Sequence, residues 1–256
     1  MSPRRARPGR PASVRPVARP QRFRAVVTDV DGTLTDESRR LDPVALTYVR
    51  RLEDRGVPVL LATGNVLPIA LALYRSLGLS GPIVAENGGM LYRTLDDGES
   101  VVERLADPAV ARRAFDRLVD AGLPVRRLFT DRWRESEVAL EPTVSVRRVR
   151  AALGDLSVDV ESTGFAIHLM QAGAGKLPAL ERALGYLGLT PRDCVILGDG
   201  DNDARMLRAA GFGVSFSSGS ARARRAAGYV ARAPFAAGFV EGLKASGILR
   251  GPVPPG

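Results

Sequence analysis

The chain is short of several residue types that carry common chemistries. Among 256 residues there is one cysteine, one histidine and one tryptophan. A single cysteine excludes an internal disulfide framework and any multi-cysteine metal site. Cys194 stands in the apolar run DCVILG and is expected in the core. His168, in FAIHLM, has no second histidine or cysteine near it in the sequence, so a structural role is expected, not a metal ligand. Lysine is almost absent: only Lys176 and Lys244 occur against abundant arginine, a coding bias that makes Lys176 worth following. Acids are missing from the first 24 residues, which hold eight arginines. The net charge of +9 therefore belongs almost wholly to this segment, and residues 25–256 are close to neutral. Residues 1–22 are rich in Arg and Pro without apolar periodicity, which predicts a disordered extension. Nucleic acid is not expected as the partner of the rest of the chain. The N-terminal segment also lacks the apolar stretch and small-residue cleavage site of a secretory leader. Residues 56–74 carry no charge, but Thr63-Gly64-Asn65 and the flanking Pro58 and Pro68 break them into strand, turn and buried helix. A membrane span is not expected, and a reducing cytoplasm suits the composition.

The remaining pattern is a rhythm of buried strands and helices. Apolar strands are read at 23–28, 57–63 and 82–87, with helices at about 43–55 and 66–77. Asp42-Pro43 is a helix start, and Gly56 and Gly78 are helix stops. After Gly88-Gly89 the rhythm changes to short strands, a turn at Asp96-Asp97-Gly98, helices at 108–121 and 143–153, and strands near 136–141, 157–161 and 164–170. Strand–helix alternation returns with a helix at 176–187, the strand 194–199, a helix at 202–210, a strand at 212–216 and helices near 219–227 and 235–246. The fold class is α/β: a doubly wound, parallel-sheet, Rossmann-like core with an inserted α+β cap. The expected organisation is a tail at 1–22, a core at 23–88 and 173–250, a cap at 89–172, and a flexible terminus at 251–256.

Buried strands here end in polar groups. In VVTDVDGTLTD, Asp29 follows the apolar run and Asp31 stands one residue beyond it. Thr63 closes LLAT, and Asp199 closes CVILGD, with Asp203 four residues on. In open parallel sheets ligands bind at the carboxyl ends of strands. Four carboxylates converging there would repel one another without a cation, and hard oxygen ligands favour Mg²⁺ together with a phosphate. Neither acidic stretch is a calcium-binding EF-hand loop. Counted from Asp29, positions six and twelve are Leu34 and Arg40; counted from Asp199 they are Ala204 and Ala210, where Gly and Glu are required.

These segments resemble the four motifs of the haloacid dehalogenase superfamily: DVDGTLTD, LLATGN, Lys176 and GDGDND, in that order, over nearly all of residues 24–248. The resemblance implies a phosphatase with an α/β cap. It implies Asp29 as nucleophile forming an aspartyl-phosphate, and Asp31 as acid and base. It implies metal binding by Asp29, Asp31 (through its carbonyl), Asp199 and Asp203. Thr63, with Gly64 and Asn65 beside it, and Lys176 would bind the phosphoryl group, while Asn87 and Asn202 would orient the pocket. Two departures stand out. Lys176 is followed by Leu177 where many relatives have glycine, and the second motif reads TGN where many cap-bearing relatives have TGR. TGNVLPIALALYRSLGLSGPIVAENGG is similar to archaeal phosphoglycolate phosphatases, which implies 2-phosphoglycolate as substrate. A broad sugar- or glycerate-phosphate phosphatase, a mutase and an RNA-associated protein with a vestigial core are the alternatives. Arg126, Arg132 or Arg134 is expected to supply a cation for a substrate carboxylate. The partner is a small phosphorylated metabolite, and the sequence leaves monomer and homodimer open.

Overall fold

The computed structural model describes residues 23–163 and 165–250. The expected disordered N-terminal segment and flexible C-terminus lie outside the described residues.

The chain opens with β1 (Ala25–Thr28), α1 (Pro43–Glu53), β2 (Val59–Ala62), α2 (Leu67–Leu77) and β3 (Ile83–Ala85). A hairpin follows, β4 (Met90–Thr94) and β5 (Ser100–Arg104), and then α3 (Pro108–Asp120), β6 (Val138–Leu140), α4 (Val146–Leu153), β7 (Val158–Ser162) and β8 (Ile167–Gln171). It ends with α5 (Lys176–Gly185), β9 (Cys194–Leu197), α6 (Ala204–Ala209), β10 (Phe212–Phe216), α7 (Ala221–Ala226), β11 (Tyr229–Ala231) and α8 (Phe235–Ser246). The strand β11 has no counterpart in the sequence reading: it is only three residues long and falls between two helices.

The main sheet has eight strands in the order β11-β10-β9-β1-β2-β3-β4-β5, parallel from β11 to β3. Side chains alternate across it, as strand geometry requires. Val26, Val59, Leu61, Val195 and Leu197 pack on one face against α1, α2 and α8. Val27, Leu60, Ala62, Cys194 and Ile196 pack on the other against α5, α6 and α7. Covering both faces explains why these strands are apolar throughout instead of alternating. Asp42 caps α1 as expected, its Oδ1 accepting from the Val44 and Ala45 amides at 2.8 and 2.9 Å. Gly78 ends α2 with a left-handed φ of 64°. No helix among the described residues is long and apolar enough to cross a membrane.

A second, three-stranded antiparallel sheet, β6-β8-β7, carries α3 and α4 on one face. Val138, Leu140, Val160, Ile167 and Leu169 point to those helices. Alternation sends His168 and Met170 to the other face, where Met170 lies near Lys176, Arg205 and Arg222 of the main-sheet helices. The sequence reading began the insert at residue 89. In the structure β4 and β5 instead extend the main sheet, with β4 antiparallel to β3. The reversal occurs within Glu86-Asn87-Gly88-Gly89, where Glu86, Asn87 and Gly88 all take positive φ. So sharp a turn lays the next strand beside the last one instead of leading into a new unit.

Candidate active site

The ends of β1 and β9 bring three of the four predicted acids together, with Thr63 at the end of β2. Asp29, directly after β1, is 6% exposed, and Asp203 is fully buried. Carboxylate oxygens of Asp29, Asp199 and Asp203 lie within 4.8 Å of one another. Lys176, the first residue of α5 and 2% exposed, donates from Nζ to Asp29 Oδ1 at 2.8 Å and to Asp203 Oδ1 at 2.7 Å. Leu177 in place of glycine therefore does not keep the lysine from the acids. Asp203 is fixed by its other oxygen, which accepts from the Asp199 and Gly200 amides at 3.0 and 2.9 Å. Asp199 has weaker support: Thr33 Oγ1 stands 3.4 Å from Oδ1.

Gly32 is required at the turn after Asp31. Its φ is 80°, and a Cβ there would stand 2.3 Å from Asp199 Oδ2. Gly88 is required for a different reason: a Cβ would meet the Gly175 carbonyl at 2.2 Å. That close approach seats the turn after β3 against the start of α5 and so fixes the origin of Lys176.

Three acids share one lysine, and the electrostatics follow. Burial, then the neighbouring Asp203, push the Asp199 carboxyl up to about 7. Burial also raises Asp29, opposed by Lys176 and reinforced by Asp203 and Asp199. Burial works against the charge on Lys176, but Asp203 and Asp29 outweigh it and hold the ammonium protonated. The set is a surplus of buried negative charge made of hard oxygen donors, which fits a small divalent cation.

The other predicted residues surround this cluster. Asp31 accepts from Asn65 Nδ2 at 2.6 Å and lies outside the carboxylate triad. Thr63 is buried, and its Oγ1 accepts from the Asn65 amide at 3.0 Å. Asn202 donates to Asn87 Oδ1 at 2.9 Å. A cavity of about 390 Å³ opens above, lined by Asp29, Asp31, Gly64, Asp199 and Asn202 from the main-sheet side. Ser162, Thr163 and Phe165, from the turn joining β7 to β8, line its other wall. Thr63, Asn65, Asn87 and Lys176 are not among its lining residues.

The three candidate arginines separate. Arg126 pairs with Glu141 at 2.8 Å with its side chain 72% exposed. Arg132 lies over the Phe129 ring at 4.0 Å. Only Arg134 reaches the site: it is buried, donates to the Gly64 carbonyl at 3.0 Å, and forms a close ion pair with Glu137. None of the three lines the cavity. Sequence reasoning missed Glu86 and Glu137. Glu86 is buried and accepts from the Ser136 hydroxyl at 2.6 Å and its amide at 2.9 Å, tying the turn after β3 to the segment before β6. A glutamate ending an apolar strand in AEN was the available signal for Glu86; Glu137 had none.

Fold and site together define an α/β enzyme with an acidic, cation-fitting centre at the carboxyl edge of its parallel strands. A family model described as haloacid dehalogenase-like hydrolase matches residues 26–134 and 142–242, and the chain belongs to that family. A curated relative from Methanothermobacter thermautotrophicus, named phosphoglycolate phosphatase, is 39% identical over 87% of this chain and 98% of its own length. One from Archaeoglobus fulgidus with the same name is 34% identical over 89% and 98%. Among solved structures, a Thermoplasma acidophilum protein superposes with a TM-score of 0.79 at 24% identity, covering 88% of this chain and 99% of that one. A haloacid dehalogenase-like hydrolase from Bacteroides thetaiotaomicron gives 0.69 at 20% identity, over 89% and 99%. At these identities the structural likeness speaks for the fold.

Proposed function

We propose that the protein is a Mg²⁺-dependent phosphomonoesterase that hydrolyses 2-phosphoglycolate to glycolate and phosphate. The observation that carries the chemistry is the triad of buried Asp29 and Asp203 with half-buried Asp199, three acids served by the one lysine that bridges Asp29 and Asp203. Asp29, Asp199 and Asp203 would hold the cation, with the Asp31 carbonyl as the further ligand that the family resemblance implies. Bound there, Mg²⁺ would offset the repulsion between carboxylate and phosphate and polarise the phosphoryl group.

The chain's own residues account for the rest. Asp29 attacks phosphorus, the ester P–O bond breaks, and Asp31 gives the leaving oxygen its proton. Water then loses a proton to Asp31 and attacks the aspartyl-phosphate, which frees phosphate and restores Asp29. The Asn65 side chain, donating from Nδ2, holds Asp31 in place for both transfers. Lys176 has three ammonium protons; two serve Asp29 and Asp203, and the third is available to the phosphoryl oxygens. Thr63 accepts from the Asn65 amide, so its hydroxyl hydrogen is free to donate to the same group. The unit built on β6–β8 serves as the cap, with the enzyme working in the cytoplasm.

The substrate rests on the named relatives and on the TGN segment. One observation favours a second reading, a broad sugar-phosphate phosphatase: among the described residues no arginine or lysine lines the cavity to meet a carboxylate. The test is phosphate release from a panel of phosphomonoesters, with Mg²⁺ and then with EDTA. Metal-dependent release concentrated on 2-phosphoglycolate is expected. Release spread over hexose and glycerol phosphates would select the second reading, and release from no ester would overturn phosphatase chemistry in favour of a mutase.

A further inference from the structure

The cap wall of the cavity consists of Ser162, Thr163 and Phe165, so the non-phosphate end of an ester held at Asp29 faces these residues. Thr163 differs from the other two in being tied to a buried polar network. Its Oγ1 lies 3.3 Å from Nε2 of His168, which is fully buried on the face of the cap sheet opposite α3 and α4. His168 Nδ1 lies 3.0 Å from Glu137 Oε1. A carboxylate only accepts, so Nδ1–H donates to Glu137; with His168 as the imidazolium, Nε2–H donates to Thr163 Oγ1 and the hydroxyl hydrogen is left for the leaving group. Burial pushes the Glu137 carboxyl up, but His168 and Arg134 outweigh it and hold the group ionised.

Glu137 reaches two more cavity residues without lining the cavity itself. It accepts from Asn87 Nδ2 at 3.1 Å, and Asn87 accepts from Asn202. It pairs with Arg134, which donates to the Gly64 carbonyl. One buried carboxylate thus links Thr163 on the cap to Asn202 and Gly64 on the core.

We propose that Thr163 is the specificity-determining residue that contacts the leaving group, and that Glu137, acting through His168, is the positioning residue that fixes the Thr163 hydroxyl. This rests on the phosphomonoesterase reading. The chemistry suits a small leaving group with a polar or anionic end, not an apolar one.

The test compares 2-phosphoglycolate with phenyl phosphate, whose leaving group offers Thr163 no polar atom. Thr163→Val should lower kcat/KM for 2-phosphoglycolate about tenfold, mainly through KM, and leave phenyl phosphate within about twofold. Thr163→Ser should restore the wild-type ratio. Glu137→Gln should move the same ratio in the wild-type background but not further in the Thr163→Val background, a non-additivity that general loosening would not give. Equal losses on the two esters, or a Thr163→Val variant that matches the wild type, would overturn the inference. Thr163 is partly exposed and the valine is isosteric, so that arm stands even if the Glu137 variant does not fold. If the wild type cleaves an ester, Asp29→Asn abolishes cleavage and Thr163→Val is silent, the inference alone fails. If the wild type cleaves neither ester, the phosphatase reading fails with it.

Discussion

Two buried charged clusters flank Asn87, and they are balanced in opposite ways. At the strand ends, Asp29, Asp199 and Asp203 share Lys176, and Asp199 is left with one weak hydrogen bond. At the junction with the three-stranded sheet, Glu137 is met by Arg134, His168 and Asn87, and Glu86 by the Ser136 side chain and the amides of Glu135 and Ser136. A carboxylate with all its lone pairs occupied holds structure together. A carboxylate buried in surplus is held in readiness for a cation and a substrate.

The comparison can be broken by removing one acid from each cluster. Asp29→Asn should reduce phosphate release about a thousandfold or more, because the proposed nucleophile is lost. It should leave thermal stability in EDTA equal to or above the wild type, since a surplus charge is removed. Glu137→Ala should do the reverse in stability. It strands the Arg134 guanidinium in the interior and should cost about 3–5 kcal/mol in urea unfolding.

Cation and pH sharpen it further. A raised carboxyl such as Asp199 keeps its proton in the folded chain while the unfolded chain loses it. Metal-free stability should therefore fall as pH rises from the ordinary aspartate range toward 7. Mg²⁺ displaces that proton, so its stabilisation should grow as pH rises through 7 and fade below it. At a hundredfold excess over Kd it should reach about 2.7 kcal/mol, read as a thermal shift. The smallest effect is expected from Arg126→Gln. Its exposed pair with Glu141 should change stability by less than about 1 kcal/mol and substrate KM not at all.

How legible each cluster was in the sequence follows from the same difference. Asp29, Thr63 and Asp199 each end an apolar strand, so their neighbours along the chain announce them. Lys176 was found through its place in the motif order, not through its surroundings. Glu137 and His168 meet across 31 positions because β6 pairs with β8, and no local pattern encodes that register. His168 was expected to be structural, and its buried partners Glu137 and Thr163 were invisible in the sequence. The hairpin β4–β5 was assigned to the insert because the rhythm changed after Gly89. Its pairing with β3 depends on the positive-φ turn at Glu86-Asn87-Gly88, which glycine content alone does not specify. Arg134 could not be told from Arg126 and Arg132 by sequence, since all three stand in one arginine-rich stretch and only the fold buries one of them.

The central claim is that the surplus carboxylate at the end of β1 is the nucleophile. Rapid acid quench of turnover with ³²P-labelled ester, followed by peptide mapping, tests it most directly. Transient, hydroxylamine-labile label is expected on the peptide that contains Asp29, and none in Asp29→Asn. Steady turnover with no label on the protein, or label on another residue, would contradict it.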